Sequence, residues 1–200
     1  MRILNNGKLP YYKNADLKDL MKEASPDLHK LKDKILNLSK EDFYNIKPNI
    51  YIYGGHRKGK TWIMHAIMNH IMNTYGEKSI YYVTVPSLLE YMKINSDNHY
   101  FDDESLFNIF LTARVLFIDD FGLEYKSTTG WAITKFETFI KTRFAYNRIT
   151  FLSGTLDLDN IEKIYGESLA DFIDGEFITY EIYPDSKDLS KIALSKRWKK

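Results

Sequence analysis

The distribution of apolar residues changes near residue 49. Beyond it, short runs rich in Ile, Val, Tyr and Phe are separated by stretches in which apolar residues recur at helical spacing. This alternation is typical of βαβ units, which place parallel strands between two layers of helices. The predicted strands are 49–53, 79–85, 114–118, 148–152 and 176–183, and the predicted helices are 60–75, 86–94, 104–112 and 129–146. We therefore predict an α/β fold built on a five-stranded parallel sheet.

The first 48 residues follow a helical pattern. A short helix is predicted over 16–23, and Ser25-Pro26 marks the start of a second helix, because serine caps helices and proline fits their first position. That second helix has an apolar face formed by Leu28, Leu31, Ile35 and Leu38. The face would either pack on the chain's own sheet or lie in a groove of a partner protein. We accordingly divide the chain into a helical segment (1–48), a core (49–185) and a basic tail (186–200).

Composition and charge exclude several classes of protein. An apolar fraction of 44% and a charged fraction of 28% are ordinary for a globular domain, which excludes a disordered chain. The absence of cysteine excludes a disulfide scaffold and thiolate zinc sites. The net charge of +1 excludes a uniformly basic nucleic-acid coat. No signal peptide or membrane-spanning run is visible, so we expect a cytoplasmic protein with no membrane partner.

The charge is nevertheless unevenly distributed. Residues 1–48 carry a net charge of +3, residues 49–186 of −7, and residues 187–200 of +5. Basic ends are either solvated tails or contacts for nucleic acid or an acidic partner.

The strongest motif follows the first predicted strand of the core. The segment GGHRKGKT at 54–61 fits the G-x-x-x-x-G-K-[ST] phosphate-binding loop, with a strand before it and a helix after it. The loop's backbone N–H groups would face phosphate oxygens, Lys60 would reach the β- and γ-phosphates of ATP, and Thr61 would ligate Mg²⁺. The alternative is a basic turn without a ligand. The residues predicted to contact the nucleotide in this loop are Gly54, Gly55, His56, Arg57, Lys58, Gly59, Lys60 and Thr61.

Two carboxylates end the predicted strand 114–118. Asp119 is placed to hold Mg²⁺ through water and Asp120 to orient or deprotonate the attacking water, so that Lys60, Asp119 and Asp120 are the predicted catalytic residues. Paired acids after a buried strand also occur as helix N-caps. The intervening strand 79–85 favours NTPases with an acidic catalytic residue over nucleotide kinases.

Together these segments resemble the DnaC/DnaI-type AAA+ helicase loaders. The resemblance covers about residues 45–183 and includes the phosphate loop, the segment Ile118–Glu124, Trp131, Arg143-Phe144 and the strand 149–154. It implies a P-loop ATPase core of AAA+ type that binds a replicative hexameric helicase and assists its loading onto single-stranded DNA. It also implies ATP and Mg²⁺ as cofactors and a homo-oligomer in the ATP-bound state. Compact members of this family are encoded by bacteriophages as well as bacteria, and this short chain resembles those.

The sequence departs from the family pattern at three places. Where the family ends its fourth strand in T-S-N, this chain has Leu152-Ser153-Gly154, so Ser153 is the predicted γ-phosphate contact in place of the usual amide. The family's arginine-finger box, G-E-R-L-x-x-R, appears as residues 166–172 and has lost both arginines, with Phe172 at the finger position. Seventeen residues follow Tyr183, too few for a C-terminal helical lid.

Several assignments stay open. Arg143 or Arg148 would supply a finger in trans, or Arg143 would brace its helix against the sheet. His56 and His65 would touch nucleotide or belong to a turn and a helix face, and Glu124 would contact nucleotide or end a turn. Alternative functions are an IstB-like transposition helper and a nucleotide-gated, non-hydrolysing inhibitor or adaptor of a helicase or loader.

Overall fold

A computed structural model of the chain describes residues 12–97, 106–122, 130–182 and 188. The described strands form one parallel sheet in the order β2-β3-β4-β1-β5, which confirms the predicted α/β architecture. Each predicted strand agrees with an observed one to within three residues. The strands are β1 (Ile50–Gly54), β2 (Ile80–Thr84), β3 (Val115–Phe121), β4 (Ile149–Gly154) and β5 (Ile178–Ile182).

Helices cover both faces of this sheet, because successive strand residues are buried on opposite sides. On β1, Ile50 and Ile52 belong to one hydrophobic core and Tyr51 belongs to the other. The helices are α1 (Pro26–Asn37), α2 (Lys40–Ile46), α3 (Lys60–Tyr75), α4 (Val85–Asp97), α5 (Leu106–Thr112), α6 (Gly130–Ala145), α7 (Leu158–Tyr165) and α8 (Glu167–Glu176).

The segment before the sheet differs from its prediction. The helix predicted over 16–23 is only a 3₁₀ turn at Leu17–Asp19. Helix α2, which was not predicted, begins at a serine cap: Ser39 Oγ accepts from the backbone N–H of Asp42 at 3.0 Å and donates to its carboxylate at 2.6 Å. This reciprocal pairing resembles a capping box with aspartate in the third position.

The apolar face of α1 packs inside the domain. Leu28, Leu31 and Ile35 are no more than 1% exposed and lie in the same core as Ile50 and Ile52. Packing on the chain's own sheet, the first of the two interpretations, therefore holds, and this buried face cannot anchor a partner. A partner-binding role for residues 1–48 would have to use other positions.

Helices α7 and α8 were also missed. The side chain of Asp157 caps α7 by accepting from the N–H of Asn160 at 2.8 Å, and Gly166, at φ 94°, separates the two helices. No helix among the described residues has the length and apolar character needed to cross a bilayer.

Candidate functional site

The phosphate loop connects β1 to α3 and depends on two glycines. Gly54 has φ 135°, and a Cβ there would lie 2.4 Å from the carbonyl oxygen of Ile182 on neighbouring β5. Gly59 has φ 98° and caps the N-terminus of α3. Only glycine adopts these conformations without strain. The loop therefore comes close to the sheet and leaves the positive end of α3 at the carboxyl ends of the strands, where an anion is stabilised.

Lys60 lies over this loop as the first residue of α3. Its Nζ donates to the carbonyl oxygens of Gly54 at 2.8 Å and Gly55 at 2.7 Å. Burial lowers the pKa of Lys60, and the charges of Asp119 and Asp120 oppose that shift. The ammonium group is thus held at the loop by two neutral acceptors, which a phosphate would replace with stronger, charged ones.

Asp119 is the centre of the site. Its carboxylate is 2% exposed and accepts from Thr61 Oγ1 at 2.7 Å and from Tyr82 OH at 2.8 Å, both on Oδ2. Its Oδ1 accepts from Ser153 Oγ and from the N–H of Asp120 at 2.9 Å. Three residues singled out from the sequence, Thr61, Asp119 and Ser153, are therefore brought into direct contact. Thr61 Oγ1 and the Asp119 carboxylate are hard oxygen donors side by side, the donor type that Mg²⁺ prefers.

Asp120 lies in a β-bulge. Ile118 pairs with Leu152 and Phe121 pairs with Gly154, so two residues of β3 stand opposite one residue of β4. Asp120 has φ 65°, a left-handed conformation that Asp tolerates better than most residues. Burial and the neighbouring Asp119 raise the pKa of Asp120, while Lys60 and His56 oppose the shift. The bulge separates the two carboxylates, so that Asp119 is enclosed and Asp120 only half-buried.

The same pairing of β3 with β4 leaves no room for a side chain at position 154, where the resembled helicase loaders have the asparagine of T-S-N. A Cβ on Gly154 would lie 2.5 Å from the carbonyl oxygen of Phe121 and 3.1 Å from Tyr51 OH. An asparagine at position 154 would need a shift of the β3 backbone, so the neighbouring Ser153 is left as the polar side chain at this strand end.

The remaining loop residues and His65 are placed differently. His56 and Arg57 are exposed, and Lys58 is half-buried. His65 is fully buried one turn into α3, where its ring Nδ1 bonds to the carbonyl oxygen of Thr61 at 2.9 Å. Of the two interpretations of His65, the helix-face one holds, and the ring does not face the loop's phosphate side.

Arg143 is not available as an arginine finger. It is fully buried, and burial lowers its pKa to about 9, with Arg148 contributing to the shift. Its guanidinium donates to the carbonyl oxygens of Phe110, Leu111, Ala113 and Ile149 and to the hydroxyl of Thr150. The trans-acting role predicted for Arg143 is therefore wrong, and the bracing role is correct.

The other described positions considered for an arginine finger do not place an arginine beside the phosphate loop. Phe172, at the finger position of the family, is half-buried with its ring centroid 5.4 Å from that of Phe144. Arg148 precedes β4, at the sheet edge opposite the phosphate loop. Glu124 and the basic tail beyond Asp188 lie outside the described residues. Within the described residues, no cluster of three or more His, Asp or Glu side chains forms a metal site.

Tyr82 is the site residue that sequence reasoning missed. In the sequence it is one of several aromatic residues in a strand, and a strand core accounts for it. Parallel pairing of 79–85 with 114–118 would place the ends of these two strands side by side, so a residue of 79–85 could be expected near Asp119. The sequence does not show which tyrosine faces Asp119. Thr84, not Tyr82, is the backbone partner of Asp119.

Comparisons with known proteins give the fold of the chain. The solved structure of the DnaC helicase loader matches with a TM-score of 0.72 and 19% identity over 88% of this chain and 100% of that chain. DnaI matches with a TM-score of 0.66 and 19% identity over 90% of this chain and 93% of that chain. AMPPCP-bound DnaA from Aquifex aeolicus matches with a TM-score of 0.67 and 19% identity over 96% of this chain but 56% of that chain, so this chain spans little more than half of DnaA. At these identities the likeness shows the fold.

Sequence comparison gives the family. No curated protein matches the chain significantly in sequence. The family model described as IstB-like ATP binding protein matches residues 1–169, which include the phosphate loop, Asp119, Asp120 and Ser153. The chain therefore belongs to the IstB-like ATP-binding protein family and has the AAA+ fold shared by the DnaC and DnaI helicase loaders and DnaA.

Proposed function

We propose that this chain is an ATP-dependent helicase loader, which binds a replicative hexameric helicase and assists its placement on single-stranded DNA. The observation that carries the proposal is the convergence of Lys60, Thr61 and Asp119 at one strand edge, within a domain that spans the whole chain of the DnaC helicase loader. The DnaC neighbour is named a helicase loader, and the DnaA neighbour is named a replication initiator.

The site residues divide the work of nucleotide binding and hydrolysis. The loop N–H groups and Lys60 bind the phosphates, and Thr61 and Asp119 hold Mg²⁺. The bound Mg²⁺·ATP supplies the phosphoryl group and a divalent charge that neutralises its oxygens. Asp120, half-buried beside Asp119, orients a water molecule and accepts its proton.

A transposition helper is the second candidate. It is favoured by the family match, whose description is IstB-like and which covers residues 1–169. A helper of this kind would bind duplex DNA and a transposase, not a helicase.

A nucleotide-gated inhibitor or adaptor is the third candidate. It is favoured by the absence of an arginine at the finger position within the described residues, because Phe172 stands there and Arg143 is enclosed in the core. Such a protein would change its partner affinity with ATP and would not need turnover.

Affinity capture separates these candidates. The purified chain is immobilised with ATP, without nucleotide, and as the Lys60→Ala variant, and is exposed to lysate of the organism that encodes it. We expect a hexameric replicative helicase to be retained by the ATP-loaded wild type and lost with Lys60→Ala. A transposase retained in place of a helicase would overturn the loader proposal and support the second candidate.

Single-stranded DNA binding is tested on the basic tail, which ends in Lys196-Arg197-Trp198-Lys199-Lys200. Its cations would follow phosphates while the tryptophan stacks on a base. Fluorescence anisotropy with a labelled oligonucleotide should give an affinity that falls steeply with salt, through counterion release. Truncation after Ala193 should weaken binding and flatten the salt slope, and an unchanged slope would exclude the tail as the DNA site.

A further inference from the structure

The Asp119 carboxylate has no acceptor position left. An ionised carboxylate offers about four lone-pair sites. Two donors, Thr61 and Tyr82, contact Oδ2, and two others, Ser153 and the N–H of Asp120, contact Oδ1. With an exposure of 2%, the carboxylate depends on these protein donors and not on solvent for its orientation.

A hydroxyl has one hydrogen and two lone pairs, so Thr61 Oγ1 could offer a lone pair to an ion beside the phosphate loop while its hydrogen stays on Asp119 Oδ2. Thr61, next to Lys60 at the start of α3, would then serve two groups at once. The other donor to Oδ2 is the Tyr82 hydroxyl at 2.8 Å, which comes from β2 and not from the phosphate loop.

Tyr82 is held firmly enough to keep that bond. It is 5% exposed, and its ring centroid lies 4.3 Å from that of the buried His65. The His65 ring in turn bonds to the Thr61 carbonyl at 2.9 Å and lies 4.9 Å from the Tyr12 ring. Burial and the nearby Asp119 raise the pKa of Tyr82, so the hydroxyl stays protonated and keeps donating.

We propose that Tyr82 is a positioning residue, which keeps the Asp119 carboxylate aligned for Mg²⁺ while Thr61 Oγ1 serves the ion as well. This inference rests on the proposed nucleotide binding. In this proposal β2 supplies, through Tyr82, a hydrogen bond that orients a metal ligand. Hydrogen bonds of this kind fix the orientation of the ligand and tune the affinity for the metal.

The test is the Mg²⁺ dependence of nucleotide binding in Tyr82→Phe, which removes one oxygen atom. The affinity for a fluorescent ATP analogue is measured in EDTA and over a series of Mg²⁺ concentrations. Loss of a supporting hydrogen bond costs about 10–100-fold in metal affinity. We expect the Mg²⁺ concentration that gives half of the affinity gain to rise about tenfold or more, while the affinity in EDTA stays at the wild-type value.

The matched control is Tyr75→Phe. Tyr75 is also a buried tyrosine, and its hydroxyl donates to the carbonyl oxygen of Leu38 at 2.7 Å, away from the site. It should lower the melting temperature about as much as Tyr82→Phe and leave the Mg²⁺ midpoint unchanged. In a Thr61→Ala background, Tyr82→Phe should add little to the loss of Mg²⁺ dependence, because the ligand pair is already broken.

The outcomes distinguish the inference from the proposed function. An unchanged Mg²⁺ midpoint in Tyr82→Phe, or an equal shift in Tyr75→Phe, would overturn the positioning role while leaving nucleotide binding intact. Failure of the wild type to bind the analogue at all would overturn the proposed function, and the positioning role with it.

Discussion

At the scale of single residues, the charged groups of the site are compensated by hydrogen bonds to different degrees. Asp119 is enclosed by four donors, whereas Asp120 beside it is half-buried and has a raised pKa. Lys60 lies over the loop carbonyls with a lowered pKa. The protein therefore compensates each charge only in part. We expect a bound cation to stabilise the two carboxylates and a bound phosphate to stabilise the Lys60 ammonium group.

Replacing Lys60 by Ala should weaken ATP binding at least tenfold, about 1.4 kcal/mol, because it removes the ammonium group that donates to the carbonyl oxygens of Gly54 and Gly55. Calorimetry with Mg²⁺·ATP measures the loss. Lys58→Ala removes the same charge from the same loop and serves as the control, with a smaller expected effect. Equal affinities for Lys60→Ala and the wild type would mean that the loop is a basic turn without a nucleotide.

Replacing Asp120 by Asn should raise the melting temperature at pH 7 and abolish ATP hydrolysis. The folded protein binds the Asp120 proton more tightly than the unfolded chain does, so stability is lost as the pH rises through the raised pKa. Asparagine removes that loss and tolerates the left-handed backbone. Solvent screens a half-buried carboxylate, so the gain stays below about 1 kcal/mol, or roughly 2–4 °C.

The Asp120→Asn advantage should shrink as the pH falls through the raised pKa of Asp120, because the wild-type carboxyl then also holds its proton. Asp171→Asn, on the exposed surface of α8, is the control and should show no such pH dependence. A destabilised Asp120→Asn protein at pH 7 would contradict the burial of an uncompensated charge at the bulge.

At the scale of elements, Arg143 joins α6 to the sheet and to the connection before β3. Its bonds go to four backbone carbonyls and one hydroxyl, with no carboxylate among them in the described residues. These carbonyls lie at the end of α5 and at the start of β4, where helical and sheet ladders leave acceptors without partners. The guanidinium therefore supplies hydrogen bonds to backbone carbonyls at three places: the end of α5, the connection before β3 and the start of β4.

Replacing Arg143 by Met should destabilise the fold by about 3 kcal/mol or more, because several buried carbonyl oxygens lose their donor at once. In a domain of this size that corresponds to a fall in melting temperature of roughly 6–12 °C. Lys141→Met, on the outer side of the same helix, is the matched control and should change the melting temperature little. A wild-type melting temperature for Arg143→Met, together with lost hydrolysis, would restore a catalytic role for Arg143.

At the scale of the whole molecule, the parallel sheet brings the chemistry to one edge. The ends of β1, β3 and β4 carry the phosphate loop, the two carboxylates and Ser153, because parallel strands all end on the same side. The loop and the ends of β3 and β4 thus complete one nucleotide-facing edge. Within the described part of that edge, Lys60 lies over the loop carbonyls, and neither Arg143 nor Phe172 supplies an arginine finger.

The isolated chain should therefore bind ATP well and hydrolyse it slowly, below about one turnover per second. A finger contributes about 10³–10⁵ in rate in well-studied NTPases, and Phe172 cannot supply it. Steady-state phosphate release, measured alone and with helicase and single-stranded DNA, tests this. Stimulation only by the partner would indicate an arginine from another subunit, whereas fast turnover by the monomer would contradict the prediction.

Local sequence was enough to predict the elements with strong periodicity and the phosphate loop. Strands β1 to β5, helix α3 and the GGHRKGKT loop follow from alternation and from glycine positions, which act over a few neighbouring residues. The short helices α2, α7 and α8 were missed because their start depends on single caps such as Ser39 and Asp157, which are common outside helices as well.

Contacts between distant residues needed the tertiary structure. The bulge at Asp120 and the close approach that requires glycine at 154 depend on how β3 pairs with β4, and the roles of Tyr82 and Arg143 depend on which way their side chains face. The same holds for the α1 face, where an apolar stripe fits a partner groove or the chain's own sheet equally well until its neighbours are known. Periodicity reports which residues avoid water, and only packing decides what each of them contacts.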